Sequence, residues 1–480
     1  MTAPGGANAA GGPSPLELLH PEGTVRSWAS CGAGPGDGLA SPRPARPEDE
    51  ADGCDLVLLS PSRSERRDPG WVGAATRLAS KVSADGLVAT VRPTQRLLRE
   101  LREAGLEPTF RLLHVPDVER SRFVVPTPGP QVRFALGSVV PLSSPKRFAS
   151  RILTLPGTES FAPTSLILRR PLAAPLLSWL AALTPEVPRC SMVLAQSWRE
   201  GGATIVMRFG DGPGPDLITK VGGYPGDEAE GLRAVAPGAQ GARINVPRLV
   251  AETELGDWPL LAETPVQGHP AAIEIDGSPR QARQALTTLA GRLRDWQAAS
   301  AHRRALRPDD VERDLIAPAV RLAAGLPDGY VDDLGARAAE LIGSEVPFVA
   351  AHHDVTAANV MLATGDRIGL IDWEEATLEA LPLGDLASAA VDFAAASDRY
   401  RDRVAAYRHC FEPGGRFTTL TTELVTAAAG ALGIGAEPVR IALEACWLRH
   451  ADNERAAVAD PEEERPFLSI MRRVAAEART

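Results

Sequence analysis

The stretch HHDVTAANVMLATGDRIGLIDWEEA, residues 352–376, constrains this chain more than any other. Its two apolar runs, VML and IGLI, predict a short β-hairpin. Asp354 and Asn359 stand five positions apart on the loop that precedes the hairpin. Asp372 follows directly after the second strand. The hairpin therefore carries Asp372 back to where Asp354 and Asn359 lie.

Three oxygen-bearing side chains in that pattern suit phosphoryl transfer. Moving a γ-phosphoryl group needs a group that orients or deprotonates a hydroxyl, oxygen ligands that hold Mg²⁺ on the phosphates, and a cation that anchors them. Asp354 can serve the first purpose, and the amide and carboxylate oxygens of Asn359 and Asp372 the second. Lys220 ends a predicted strand, DLITKV, and is the candidate cation. An acid on the following helix, DEAEGLRAV, can hold it as an ion pair, either Glu228 or Glu230.

The surrounding pattern supports a two-lobed arrangement. SMVLAQSW, ATIVMRF and DLITKV read as three strands of an antiparallel meander joined by REGG and GDGPGP. INVPRLVAET and WPLLAETP read as two more. After about residue 276 the apolar spacing becomes helical, with Leu286, Leu289, Leu293 and Trp296 at intervals of three, four and three. A small β lobe followed by a mainly helical lobe leaves a cleft between them.

HHDVTAANVML, LIDWEEA, ALPLGDLA, DLITKV, DEAEGLRAV and PLLAETPVQGHPA together make residues 190–480 resemble the aminoglycoside phosphotransferase and choline kinase-like small-molecule kinases, relatives of protein kinases. The resemblance implies an α+β, bilobal protein-kinase-like fold, divided here into a β lobe at 188–275 and a helical lobe at 276–480. By position it makes Asp354 the catalytic base and Asn359 and Asp372 the Mg²⁺ ligands. Lys220 would contact the nucleotide phosphates with Glu228 as its partner, and Glu263 to Pro265 would offer backbone groups to the adenine. His352 would be a structural member of the catalytic loop, and Asp385 a support for its backbone. The implied reaction moves the γ-phosphate of ATP or GTP, with Mg²⁺, to a hydroxyl of a small molecule, whether aminoglycoside-like, a sugar or an amino alcohol. A pseudokinase scaffold is the alternative, and retention of Asp354, Asn359 and Asp372 together argues against it. His353 stands where the family usually has Gly, so the backbone there must accept a Cβ. Adjacent side chains rarely point the same way, which predicts a packed, hydrogen-bonded His352 and a partly exposed His353.

The amino-terminal third reads differently. Residues 1–15 are Ala/Gly/Pro-rich and expected to be disordered. CDLVLLS (54–60) and GLVATV (86–91) read as buried strands, and 70–83 and 94–105 as helices, which together predict a parallel, Rossmann-like α/β domain. DLVLL, SADGLVATV, RLLRELREAGLEP and SRFVVP make residues 16–165 resemble the C-terminal half of a class I SAM-dependent methyltransferase. That family places two further strands between its Gly-rich turn and the DLVLL-like one. Asp55 follows Gly32 by only 23 positions, so the domain is expected to be degenerate and structural or regulatory. A bifunctional protein with a working methyltransferase domain is the other reading. Residues 166–187 are expected to be a linker, and PLAAPLLSWLAAL (171–183), with Pro175, is short for a membrane span.

Composition narrows the partners. A net charge of −10 argues against nucleic-acid or anionic-membrane binding. Five scattered cysteines without a CxxC offer neither a zinc pattern nor a disulfide framework. The start lacks a basic segment and an apolar core of a signal peptide, so a cytoplasmic location is expected. Aromatic content of 5% supplies little for a quaternary-ammonium cage, and DPEEER (460–465) reads as a solvated face.

Overall fold

The computed structural model describes residues 28–31, 52–62, 64–65, 68–91, 93–115, 123–127, 164–169, 191–196, 203–209, 214–223, 225–255, 258–365, 367–457 and 465–477. The low-complexity start, GAGPGDG (32–38), PLAAPLLSWLAAL and nearly all of SWREGGA and DPEEER lie outside these residues. The chain forms two compact units. One contains the described residues up to Pro225 together with Leu249–Pro265, and the other contains Gly226–Arg248 and the described residues from Val266 onward.

The first unit begins with strands β1 (Trp28–Cys31), β2 (Cys54–Leu59) and β3 (Val82–Val91), which run parallel. Helix α1 (Pro69–Ser80) makes the crossover from β2 to β3. Asp68 caps α1 by accepting from the Gly70 N–H at 2.9 Å, with Pro69 in its first turn, where a missing N–H costs nothing. Helix α2 (Gln95–Glu103) starts the same way, with the Thr94 hydroxyl accepting from Leu97 N–H. Val57, Leu59 and Val88 pack against Trp71, Ala75, Leu78, Leu97 and Leu101 to form this unit's helix–sheet core.

Beyond β3 every pairing in this sheet is antiparallel. In chain order the strands are β4 (Glu107–Val115), β5 (Phe123–Thr127), β6 (Thr164–Arg169), β7 (Ser191–Gln196), β8 (Thr204–Phe209) and β9 (Leu217–Val221). After β10 (Ile244–Asn245), which belongs to the other unit, come β11 (Leu249–Leu255) and β12 (Trp258–Glu263). The eleven-stranded sheet runs β1-β2-β3-β6-β4-β5-β7-β8-β9-β12-β11. The expected parallel sheet therefore extends only over β1–β3. The reason is an insertion: β6 lies between β3 and β4 and pairs antiparallel with both, so the parallel ladder stops at β3. β6 returns antiparallel between β3 and β4, which keep the common direction that the α2 crossover imposes. The expected antiparallel meander is present as β7-β8-β9, extended by β12 and β11.

The second unit is mainly helical. Helix α3 (Pro225–Ala234) opens it, and α4 (Pro279–Ser300) is its 22-residue spine. Ser278 caps α4, and its buried stripe includes Leu286, Leu289, Leu293 and Trp296, as the spacing predicts. Burying side chains of this size contributes about 1.5–3 kcal/mol each. β13 (His269–Pro270), β16 (Val360–Ala363) and β17 (Arg367–Leu370) join β10 in the order β10-β17-β16-β13. β14 (His302–Ala305), β15 (Glu345–Ala351) and β18 (Thr377–Ala380) make a second small sheet. Helix α5 (Gly384–Ser397) is buried along nearly its whole length, and α6 (Ala436–Ala457) lies against it.

Candidate active site

The predicted hairpin is β16–β17, with Val360 opposite Leu370 and Met361 opposite Gly369. The ladder continues one step further, because Ile371 N–H donates to the Asn359 carbonyl at 3.1 Å. Asn359 and Asp372 therefore flank the open end of one hairpin. Asn359 Nδ2 donates to Asp354 twice, to the carboxylate Oδ2 at 2.7 Å and to the main-chain oxygen at 3.1 Å. With the amide nitrogen committed to Asp354, Oδ1 is the end of Asn359 that can meet a cation.

Two carboxylates on α5 fix the loop that carries Asp354. Asp385, 1% exposed, accepts from His352 N–H at 2.9 Å and from His353 N–H at 2.8 Å. Burial holds its pKa above the usual carboxylate range, while the His352 ring and the two N–H groups work against that shift. Asp392, two helical turns further on and equally enclosed, accepts from Ala357 N–H at 2.7 Å. The Tyr400 hydroxyl at 3.0 Å and the Arg403 guanidinium at 2.9 Å complete its shell. Buried carboxylates are tolerated only when so satisfied. Asp392 was not singled out by the sequence reading, although the seven-residue spacing from Asp385 places both on one helical face.

The loop is strained where it matters. His353 has φ +66°, Asp372 φ +72° and Leu383, just before α5, φ +72°. A non-glycine residue in this region costs of order 1–3 kcal/mol and persists only where its surroundings over-determine it. At His353 the Asp385 hydrogen bond supplies part of that determination. The structure thus answers the sequence question at this position: the backbone is left-handed and carries a Cβ all the same.

His352 is fully buried and its tautomer follows from its partners. Asp354 N–H donates to Nδ1 at 3.3 Å, so Nδ1 is unprotonated, and Nε2 lies 3.1 Å from the Ile371 carbonyl, to which it donates. The ring meets Trp373 edge-on, with centroids 4.8 Å apart. Trp373, also fully buried, meets Trp296 of α4 at 5.8 Å and donates from its indole to the Leu370 carbonyl at 3.0 Å. His353 differs: the residue is half-buried, yet its ring Nε2 is sealed from solvent.

Helix α3 reaches the same place. Glu228 is 1% exposed and accepts from Trp373 N–H at 3.3 Å, whereas Glu230 is exposed. Gly231 makes the approach possible, since a Cβ there would stand 2.2 Å from the Trp373 carbonyl oxygen. Lys220 on β9, Glu263 at the end of β12 and Pro265 belong to the first unit. Lys220 sits opposite Leu261 of β12 and Ile205 of β8, and Glu263 is buried. Among the described residues no cluster of three or more His, Cys, Asp or Glu side chains forms a metal site. That is compatible with Mg²⁺, which binds through one or two protein oxygens and completes its shell with water and phosphate.

Two substitutions test this geometry. Gly231→Ala forces α3 away from Trp373 and should lower stability by about 1–3 kcal/mol in urea unfolding. Asp385→Asn turns an amide N–H₂ toward one of two N–H donors and should cost about 1.5–3 kcal/mol by the same measurement.

Comparison with known proteins agrees with the geometry. A model described as the phosphotransferase enzyme family matches residues 206–417. No curated protein matches the chain at a significant level. Among solved structures, the apo form of a thermostable mutant of aminoglycoside phosphotransferase APH(4)-Ia is similar at 16% identity and a TM-score of 0.39, covering 63% of this chain and 94% of that one. Aminoglycoside-3'-phosphotransferase of type VIII is similar at 18% identity and 0.35, covering 56% and 97%. Aminoglycoside phosphotransferase APH(3'')-Id from Streptomyces rimosus ATCC10970 is similar at 16% identity and 0.34, covering 56% and 96%. The family match, rather than these distant likenesses, carries the weight: residues 206–417 match the phosphotransferase enzyme family.

Proposed function

We propose that the chain transfers the γ-phosphoryl group of ATP or GTP, with Mg²⁺, to a hydroxyl of a small molecule. The observation that carries this reading is the Asp354–Asn359 contact at 2.7 Å, on a loop pinned by Asp385 and Asp392, with Asp372 brought beside Asn359 by the hairpin. Asp354 would accept a hydrogen bond from the acceptor hydroxyl, aligning its oxygen for attack and receiving the proton as the bond forms. Asn359 holds the Asp354 carboxylate in one orientation, so little reorganisation is needed at the moment of reaction.

Asn359 Oδ1 and the Asp372 carboxylate are the groups that would hold Mg²⁺. When bound, the ion would neutralise and align the phosphates. The left-handed backbone at Asp372 sets the direction in which that carboxylate leaves the hairpin. The assignments of Lys220 to the nucleotide phosphates and of Glu263 to Pro265 to the adenine rest on the resemblance. For residues 16–165 a structural or regulatory role is the preferred reading, and it rests on the short spacing between Gly32 and Asp55, which leaves no room for two further strands.

The test separates the two carboxylates. Against a panel of hydroxylated small molecules, Asp354→Asn should reduce turnover by about 10²–10⁴-fold while nucleotide affinity stays near wild type. Asp372→Ala should instead abolish the Mg²⁺-dependent part of nucleotide binding. Wild-type turnover in Asp354→Asn would rule out its role as base.

A further inference from the structure

Next to the catalytic loop, the helical unit encloses a cavity of about 220 Å³. Its walls come from residues 313–321, the chain entering α5, and the face of α6 that carries Cys446, Arg449 and Asn453. The His353 ring lines it, and His353 Nε2 is buried without a hydrogen-bond partner. Folded proteins rarely leave such a group unsatisfied, and a ligand is one way to complete it.

The charges in the wall point to the sign of that ligand. Its two carboxylates are already engaged. Arg313 grips Asp314 with two N–H groups at 2.8 and 2.7 Å, and Arg321 grips Asp452 at 2.9 and 2.6 Å. The third guanidinium, Arg449, has its carboxylate neighbour Glu375 at 3.5 Å, and Glu375 also accepts from the Asn453 amide at 3.2 Å. The lining thus sets three guanidinium groups against two carboxylates that are spoken for. Burial, then Arg449 and the other cationic groups nearby, hold His353 well below the usual histidine pKa, so the ring is neutral. A cationic acceptor would have to break an existing Arg–Asp pair to find a counter-charge here, whereas an anion would meet Arg449, whose own partner Glu375 stands at 3.5 Å, farther than in either Arg–Asp pair.

We propose that this cavity receives the phosphoryl acceptor, and that the acceptor is an acid: a small hydroxylated molecule whose carboxylate or phosphate group lies against Arg449, with His353 Nε2 donating to it. This rests on the phosphotransferase reading, which makes the occupant an acceptor. His353 directly precedes Asp354 on the catalytic loop, so the cavity that His353 lines borders that loop. Arg449 and His353 are then specificity-determining residues.

Thermal unfolding of the full chain at constant ionic strength tests the inference. The probes are inorganic phosphate and gluconate as anions, glucosamine as cation and glucitol as neutral control. The midpoint should rise with phosphate and gluconate and stay unchanged with glucosamine and glucitol. Arg449→Gln should remove most of the rise. Arg449→Lys should keep part of it, and decides the matter if the Gln variant fails to fold. His353→Asn, which tolerates the left-handed backbone, should reduce the rise. An equal rise in wild type and variants means an adventitious ion only and overturns the proposal, as does stabilisation by glucosamine alone. ATP with and without Mg²⁺ is measured in parallel. A response to Mg²⁺-ATP without one to the acids overturns the acidic acceptor alone. A response to the acids through Arg449 without one to Mg²⁺-ATP overturns the phosphotransferase reading.

Discussion

Asp385 and Asp392 hold the backbone of residues 352–357 from one face of α5, and the positions of Asp354 and Asn359 depend on that grip. A loop with a left-handed His353 has no reason of its own to keep one conformation. Three backbone N–H groups bound to two buried carboxylates supply the reason. The carboxylates in turn need those donors, because a buried acid without partners would be strongly destabilising. Loop and helix are thus mutually required, and α5 is packed over nearly its whole length so that neither acid can turn to solvent.

Trp373 performs a similar task on the other side of the hairpin. It lies between the His352 ring and Trp296, and its main-chain N–H meets Glu228 of α3. The residue after the metal-ligand candidate Asp372 is therefore locked by aromatic packing on two sides and by a carboxylate on a third. Gly231 marks how closely α3 must come for this to happen. Positioning of this kind, rather than an unusual reactive group, is what phosphoryl transfer demands of a protein.

Much of this was legible in the sequence, and the exceptions have physical causes. The hairpin and the stripe on α4 depend on neighbouring residues, so local pattern reveals them. The switch from parallel to antiparallel pairing after β3 depends on β6, some 75 residues further along, and no local pattern records that insertion. Asp392 sits in an Ala-rich run that reads as plain core, and its meaning appears only when Ala357 N–H is placed beside it. Glu228 and Glu230 are two residues apart on one helix, and sequence alone cannot say which faces inward. The answer is Glu228, set by contact with a tryptophan more than 140 positions away. Gly231 was hidden for the same reason.

The measurement that bears most directly on the account is a calorimetric titration of ATP into the wild-type chain, with Mg²⁺ present and with Mg²⁺ removed by chelation. The account predicts saturable binding with Mg²⁺ that weakens sharply once the ion is removed, because Asn359 and Asp372 are the groups that would hold the ion. Nucleotide binding indifferent to Mg²⁺, or none at all, would contradict the assignment of this loop and hairpin to phosphoryl transfer.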